Sequence, residues 1–419
     1  MDRFDSVGAR ADAGAQASMV PGLTAHWHDD LAQIPAEAWD ELVSTVDGGT
    51  PFLRMALLKA MVDSGSACSE TGWQPQFLTL QDAQGRILGA CPLFVKSHSY
   101  GEYVFDWAWA DAHDRALARH GQRYYPKLLS AVPFSPIPGQ RLLTHPDLSA
   151  SEQQAVRRRL LQTLAERCEA QGLSSAHVLF VSDDEVSVAR EQGWLVRQGV
   201  QFHWQNRVPE PFADFDDFLA SLQRDKRKKI QQERRKVREA GVSFEVLQGP
   251  EIQPPDWDFF ARCYAQTYHE RGQQPYLTPG FWQQVASALP DCWVLFVASQ
   301  NGQRIAAALL AIDPVQKVAY GRYWGALAEV SCLHFEACYY QPLSWCITKG
   351  MRRFEGGAQG EHKLTRGLLP VQTQSVHWLQ HAGLREAVAN FLMRETLGID
   401  QYKTELGERS PFKPADQPP

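Results

Sequence analysis

Residues 77–91 read FLTLQDAQGRILGAC, and residues 294–308 read VLFVASQNGQRIAAA. In the first, the apolar runs Phe77–Leu80 and Arg86–Val95 flank Asp82-Ala-Gln-Gly85, the pattern of a β-hairpin. Sliding the chain by 217 residues lays Leu78-Thr-Leu80 over Leu295-Phe-Val297, Gly85 over Gly302, Leu88 over Ile305 and Ala90 over Ala307. Shifts of 216 and 215 then place Tyr103–Trp109 on Ala319–Gly325, and Tyr124-Tyr125-Pro-Lys-Leu128 on Tyr339-Tyr340-Gln-Pro-Leu343. An ordered series at nearly constant offset marks an internal duplication. Helices mixed with hairpin-joined strands predict an α+β fold, a tandem duplication with antiparallel-rich mixed sheets, and not a wholly parallel doubly wound sheet.

Outward from the hairpin, helical spacing runs from Ile34 through Trp39, Leu42 and Val43, and a second helix follows Thr50-Pro51. Tyr103–Trp109 is predicted as a third strand. A helix over Glu152–Gln171, a strand His177–Val181, a helix around Asp184–Gln192 and a strand Trp194–Gln205 complete the first half. Asn206-Arg-Val-Pro-Glu-Pro211 interrupts the periodicity and marks the boundary. The expected organisation is a disordered tail 1–22, one domain 23–205, a second 206–403 with a basic helix 219–240, and a flexible tail 404–419.

The 419 residues are 44% hydrophobic and 21% charged, with 20 Phe, 13 Trp and 12 Tyr, enough apolar material for two cores. The apolar stretches Cys292–Ala298 and Ile305–Ile312 fall far short of the ~18 residues of a membrane-spanning helix. Asp2, Asp5 and Asp12 spoil any secretory layout, so a cytoplasmic location is expected. Eight cysteines without a C-x-x-C pair read as buried free thiols, and 13 histidines without H-E-x-x-H or zinc-ligand spacing predict no metal.

Four segments carry candidate chemistry. Arg224–Arg238, RDKRKKIQQERRKVR, holds nine basic residues against Asp225 and Glu233. Leu219, Leu222, Ile230 and Val237 give it a narrow apolar stripe, leaving a positive face that would attract RNA or a diphosphate, or simply be solvated. No zinc-finger or helix-turn-helix pattern accompanies it, so sequence-specific DNA binding is not expected. The segment from His334 through Glu336, Tyr339 and Tyr340 to Phe354 reads as a packed helix with Glu336 in its first turn; Tyr339, Tyr340 and His334 are polar enough to line a cleft. Gly356-Gly357-Ala-Gln-Gly360-Glu361-His362-Lys363-Leu-Thr-Arg366 then sets three glycines before an acid, an imidazole and two cations. Glycines let backbone approach a ligand, His and Glu suit proton transfer, and Lys and Arg suit phosphate. If extended, this run would part Glu361 and Lys363 from His362 and Arg366. Finally, HSYGEYVFDWAWA (98–110) alternates carboxylates, among them Glu102, with rings such as Trp107, either walling a groove or packing against the other half.

Together HSYGEYVFDWAWA, YYPKLL, the basic helix ending in REAGV, HFEACYYQ and GGAQGEHKLTRG resemble the FemAB-like branch of the GNAT acyltransferase superfamily, over roughly residues 25–400. The long phrases between His334 and Gly367 are specific to bacterial proteins named for peptidoglycan biosynthesis or recognition. The resemblance implies two GNAT-like domains in tandem and transfer of an aminoacyl group from aminoacyl-tRNA to an amine of a cell-wall precursor. The glycine-rich pyrophosphate loop of acyl-CoA-dependent relatives is absent. Ala326-Leu-Ala-Glu-Val-Ser-Cys-Leu333 stands in its place, which favours aminoacyl-tRNA over coenzyme A as co-substrate.

The expected function is therefore N-acyl transfer from an anionic carrier, tRNA or coenzyme A, to an amine acceptor such as a nucleotide-linked peptidoglycan precursor, with no tightly bound cofactor. His362 or Glu361 would accept the proton, and Tyr339 would donate to the oxyanion or leaving group. Lys363, Arg366, Gly356, Gly357, Gly360, His334, Glu336, Glu102 and Trp107 would bind substrate, and Lys228, Lys229, Arg234 and Arg235 the phosphates. The alternatives are an acyl-CoA-dependent N-acetyltransferase and a non-catalytic module that binds a glycopeptide or RNA.

Overall fold

A computed structural model describes residues 22–44, 51–117, 121–358 and 360–414, so the expected tail 1–22 lies, but for Gly22, outside the described residues. Its strands in chain order are β1 (Thr24–His28), β2 (Trp73–Pro75), β3 (Phe77–Gln81), β4 (Ile87–Cys91), β5 (Phe94–Lys96), β6 (Lys127–Ser130), β7 (Leu143–Thr144), β8 (Ser175–Val178), β9 (Leu195–Gln205), β10 (Val242–Gln248), β11 (Trp293–Gln300), β12 (Gln303–Asp313), β13 (Val318–Ala326), β14 (Arg353–Ala358) and β15 (Leu369–Leu379). β11 and β12 form the second hairpin, antiparallel and joined through Asn301-Gly302. Their runs are apolar on both faces because both faces are covered. Trp293, Leu295 and Val297 pack with Trp257, Phe260, Phe281 and Trp282. Val294 and Phe296 point the other way, into a core with Tyr340, Leu343 and Phe218.

The first hairpin has the same plan with bent strands. β2 and β3 are separated by Gln76, β4 and β5 by Pro92 and Leu93, and Gln76 N donates to Leu93 O at 2.9 Å across the bend. Proline lacks the N–H that a continuing ladder needs, so Pro92 fits at this break. β3 and β4 join β1 and β7 in a four-stranded sheet, while β2 and β5 belong to an eleven-stranded one.

That large sheet runs β10-β11-β12-β13-β14-β9-β15-β8-β6-β5-β2. β13 with β14 and β6 with β8 are parallel, and the other neighbours are antiparallel. The order reads alike outward from the central pair β9–β15. Each half's last strand sits against the other half's preceding one: β9 on β14, β15 on β8. The duplication is therefore present in the topology, and the α+β fold with antiparallel-rich sheets stands as expected. The boundary at residues 205 and 206 falls at the end of β9, yet that strand lies within the partner half's ladder.

Four expectations are corrected. Tyr103–Trp109 is not a strand: Tyr103 is left-handed at φ +66°, and a helix begins at Trp107. The counterpart of β13 is β6, since each lies parallel to the next strand of its own half in the large sheet, β13 to β14 and β6 to β8. The matches at shifts 216 and 215 consequently join unlike elements; Tyr124–Leu128 leads into β6, whereas Tyr339–Leu343 is helical. The basic helix spans Arg224–Glu239, and Leu219 belongs to a separate helix, Phe215–Ser221. All eight cysteines are free thiols, but Cys68, Cys332 and Cys338 are only partly buried.

The expected flexible tail from residue 404 is also largely structured. The helix Ala382–Glu408 runs through it, Leu406 and Phe412 are buried, and Lys413 N donates to Ser221 O at 2.9 Å. Phe412 fills a gap beside Phe218, with ring centroids 6.3 Å apart. Among the described residues no helix is long and apolar enough to cross a membrane. Truncating a buried phenylalanine leaves a cavity, so Phe412→Ala is expected to cost about 3 kcal/mol in urea unfolding. A loss near zero would show that the segment lies outside the core.

Candidate functional site

The site follows from a splay in the central sheet. β13 pairs with β14 only where Val318, Ala319 and Tyr320 meet Arg353, Phe354 and Glu355; β13 then continues to Ala326 without that partner. On its other side, the register of β14 against β9 slips between Glu355 and Ala358. Gly356 and Gly357 occupy that slip. A Cβ at Gly356 would meet Leu368 Cδ2 at 2.4 Å, and one at Gly357 would meet Arg322 Nη1 at 2.8 Å. The close approach that these glycines allow is thus to side chains of this chain. A cleft of about 150 Å³ opens in the splay, lined by Gly321, Trp324, His334, Cys338, Tyr339 and Gly356.

Tyr339 reaches the cleft from a π-helical turn, Glu336–Tyr340, set between Leu333–Phe335 and the α-helix Gln341–Thr348. Such turns are often found at functional sites. Here it directs consecutive tyrosines apart: Tyr339 shares a 3.1 Å hydrogen bond with His362 Nε2, and the Tyr340 hydroxyl donates to Glu233. His334 packs edge-on against both Trp324 and Tyr339.

Glu361–Arg366 is a 3₁₀ turn, not an extended run. The tighter spacing brings Lys363 and Arg366 to the same, inward side. Lys363 is buried and its Nζ donates to Gly357 O at 3.1 Å. Burial, with the nearby Arg322 guanidinium, lowers its pKa to about 7. Desolvation, then Arg366 and Lys363, also lower that of His362. Neutral forms of both side chains are therefore populated near neutral pH, as proton acceptance requires. Gly360 is left-handed, and a Cβ there would collide with the His362 ring at 2.5 Å, so this glycine sets the imidazole's position.

The other expected site residues are placed elsewhere. Arg366 Nη2 donates to both Glu233 oxygens, at 2.9 and 3.1 Å, and its guanidinium lies 3.6 Å from the Phe335 ring centroid. Its carboxylate partner is thus internal to the chain. Glu361 faces the C-terminal helix, accepting from Tyr402 Oη at 3.0 Å and Arg409 Nη2 at 3.3 Å. Glu336 is buried and accepts from Gln341 Nε2 at 2.7 Å and Arg234 Nε at 3.2 Å. Arg234 also stacks on Phe215, so among the expected phosphate contacts only Lys228, Lys229 and Arg235 are exposed. Glu102 is buried in the first half against Lys127 at 2.7 Å, whereas Trp107 is exposed.

Sequence reading missed three groups. Glu233 looked like a counter-charge in a basic run and is instead the buried link between that helix, Tyr340 and Arg366. Arg322 lines the cleft, and its Nη2 approaches Glu355 at 3.9 Å. Glu355 is buried with its Oε1 3.1 Å from Arg353 Nε, and burial raises its pKa despite Arg353 and Arg322. An acid set directly between Phe354 and Gly356-Gly357 is the one signal that could have flagged it.

A family described as FemAB-like, peptidoglycan biosynthesis/recognition, matches residues 30–414. No curated protein matches the chain. Among solved structures, the C-terminal domain of a proposed lysylphosphatidylglycerol synthetase from Agrobacterium fabrum aligns with TM-score 0.50 and 11% identity, covering 86% of this chain and 96% of that one. L-PGS from Bacillus licheniformis aligns with TM-score 0.48 and 9% identity over 86% and 97% of the two chains. A tandem GNAT protein from the clavulanic acid biosynthesis pathway gives 0.40 and 10% over 85% and 98%.

Lys363 also makes the site's electrostatics measurable. Its folded pKa lies below the unfolded value, so the native state binds fewer protons and wild-type stability rises with pH between the two. Relative to wild type, Lys363→Met should therefore be most stabilised at about pH 7, with the difference shrinking toward about pH 10. Thermal unfolding of both proteins across that range checks it; a difference independent of pH would mean that the lysine carries its charge in the fold.

Proposed function

The chain belongs to the FemAB-like family, and from that premise we propose that it is an N-acyltransferase working in the splay between β13 and β14. The observation that carries this reading is the hydrogen bond between Tyr339, on the cleft wall, and His362 behind it, next to the buried Lys363. An acceptor amine must lose its proton as it attacks an activated carbonyl, and the carbonyl oxygen gains negative charge. His362, whose pKa is lowered, takes the proton, and the Tyr339 hydroxyl donates to the developing oxyanion or the leaving oxygen. No covalent enzyme intermediate is needed; holding the two substrates in line supplies much of the rate.

Aminoacyl-tRNA is the donor we favour. The segment between β13 and the Leu333–Phe335 helical turn has no glycine, and its Leu327 and Leu333 N–H groups are already bonded to Ile305 O and Val330 O. That leaves a poor cradle for the diphosphate of an acyl-CoA. Lys228, Lys229 and Arg235, exposed on the basic helix, suit a polyanionic carrier whose binding weakens with salt. The acceptor is an amine on a peptidoglycan-related molecule, in keeping with the family's description.

His362→Ala, at an exposed position, is expected to lower kcat/KM for transfer by about a hundredfold or more while the melting temperature stays close to wild type. In wild type, kcat/KM should rise with pH through an apparent pKa below the ordinary histidine value, because the lowered His362 pKa must be exceeded before the base is free. Turnover unchanged in His362→Ala removes it as the base. A melting temperature raised by coenzyme A and not by tRNA would reverse the choice of donor.

A further inference from the structure

The 98–107 segment, which the transferase reading does not use, presents aromatic rings at the surface. Tyr100 is 58% exposed, Trp107 49% and Tyr103 39%. The Phe105 and Trp107 rings are stacked, with centroids 4.3 Å apart and planes 13° from parallel, and Tyr100 lies 5.9 Å from Trp107. Exposed rings held in one arrangement signify a binding surface more than packing does.

The arrangement is fixed from beneath. Lys127, buried, bridges Glu102 and Asp106. Tyr124 and Tyr125 donate to Asp106 at 2.8 and 3.0 Å. Lys96 Nζ donates to Tyr100 O at 3.2 Å, and Arg197 Nη1 to Phe105 O at 2.7 Å. Between them Tyr103 is held left-handed at φ +66°, a conformation an aromatic residue keeps only where its surroundings enforce it. Tyr103 lies in the neighbourhood of Arg322, a residue of the cleft wall, and of Tyr276, whose ring stacks on Phe134. The rings thus extend from the surface toward the splay.

The surrounding charge selects the occupant. From His98 to Asp114 there is no lysine or arginine, but there are Glu102, Asp106, Asp111 and Asp114, of which Asp111 is exposed and Asp114 half-buried. Of the three cations beneath, Lys127 and Arg197 are spent on Asp106, Glu102 and Glu395, and Lys96 on the Tyr100 carbonyl. Phosphates would be repelled here, whereas the C–H face of an uncharged sugar ring meets the electron-rich face of an aromatic ring favourably.

We infer that Phe105, Trp107 and Tyr100 form a stacking platform for a pyranose ring of the acceptor, and that Tyr103 continues it toward the cleft. This rests on the transferase reading only for the acceptor being glycan-bearing, and the test is binding without turnover. Titrating the full chain calorimetrically with N-acetylglucosamine tetramer should show saturable binding. Trp107→Ala should weaken it about tenfold or more with an unchanged melting temperature, and Trp107→Phe should keep most of it. The inference is overturned if wild type does not bind the tetramer, if Trp107→Ala binds it equally well, or if Trp107→Ala impairs binding of a short RNA hairpin and not of the sugar. Sugar binding that maps to Trp107 in a protein without transfer activity leaves the platform standing and removes the transferase reading. Transfer to a simple amine without sugar binding does the reverse.

Discussion

The structure depends on the antiparallel ladder between β9 and β15. Nine residue pairs, from Leu369 opposite His203 to His377 opposite Leu195, join strands that belong to different halves of the sequence. Because each also pairs with the other half's preceding strand, strands of both halves run in one continuous eleven-stranded sheet. The ladder also holds β14 against β9 while β13 leans away, which opens the cleft. Register matters here: a one-residue slip would turn Phe202 and Trp204 out of the core and His203 into it.

Two buried polar networks anchor the surfaces that the proposals use. Glu233 gathers Arg366 and Tyr340, tying the basic helix to the 3₁₀ turn and to the helix bearing Tyr339. Lys127 gathers Glu102 and Asp106 under the aromatic platform. In this network burial raises Glu102 to about 7 against the pull of Lys127, and holds His177 down at about 3. Neither network gains much net stability from bringing charge out of water. Each fixes where an exposed neighbour sits, which is what positioning demands.

The hairpins, the helices over 36–43 and 150–171, and the duplication were legible because periodicity and glycine placement are local signals. Tyr103–Trp109 misled because its rings are β-prone, while what decides its path is Asp106 reaching Lys127 and the Tyr124 and Tyr125 hydroxyls, eighteen or more residues away in sequence. The density of polar residues at 356–366 pointed to the cleft. It could not say that Arg366 already had a carboxylate in Glu233, 133 positions earlier. Glu355 was invisible for the same reason: its significance lies in being buried beside Arg353 and Arg322, which only packing reveals.

The strand exchange bears on how the chain is made. β8 leaves the ribosome roughly 190 residues before β15, its antiparallel partner, so at ordinary translation rates that edge waits about ten to forty seconds unmatched. An unpaired edge flanked by apolar side chains invites pairing with another nascent copy. β8 is only four residues long and carries Ser175 and His177, which limits the template that it offers during the wait.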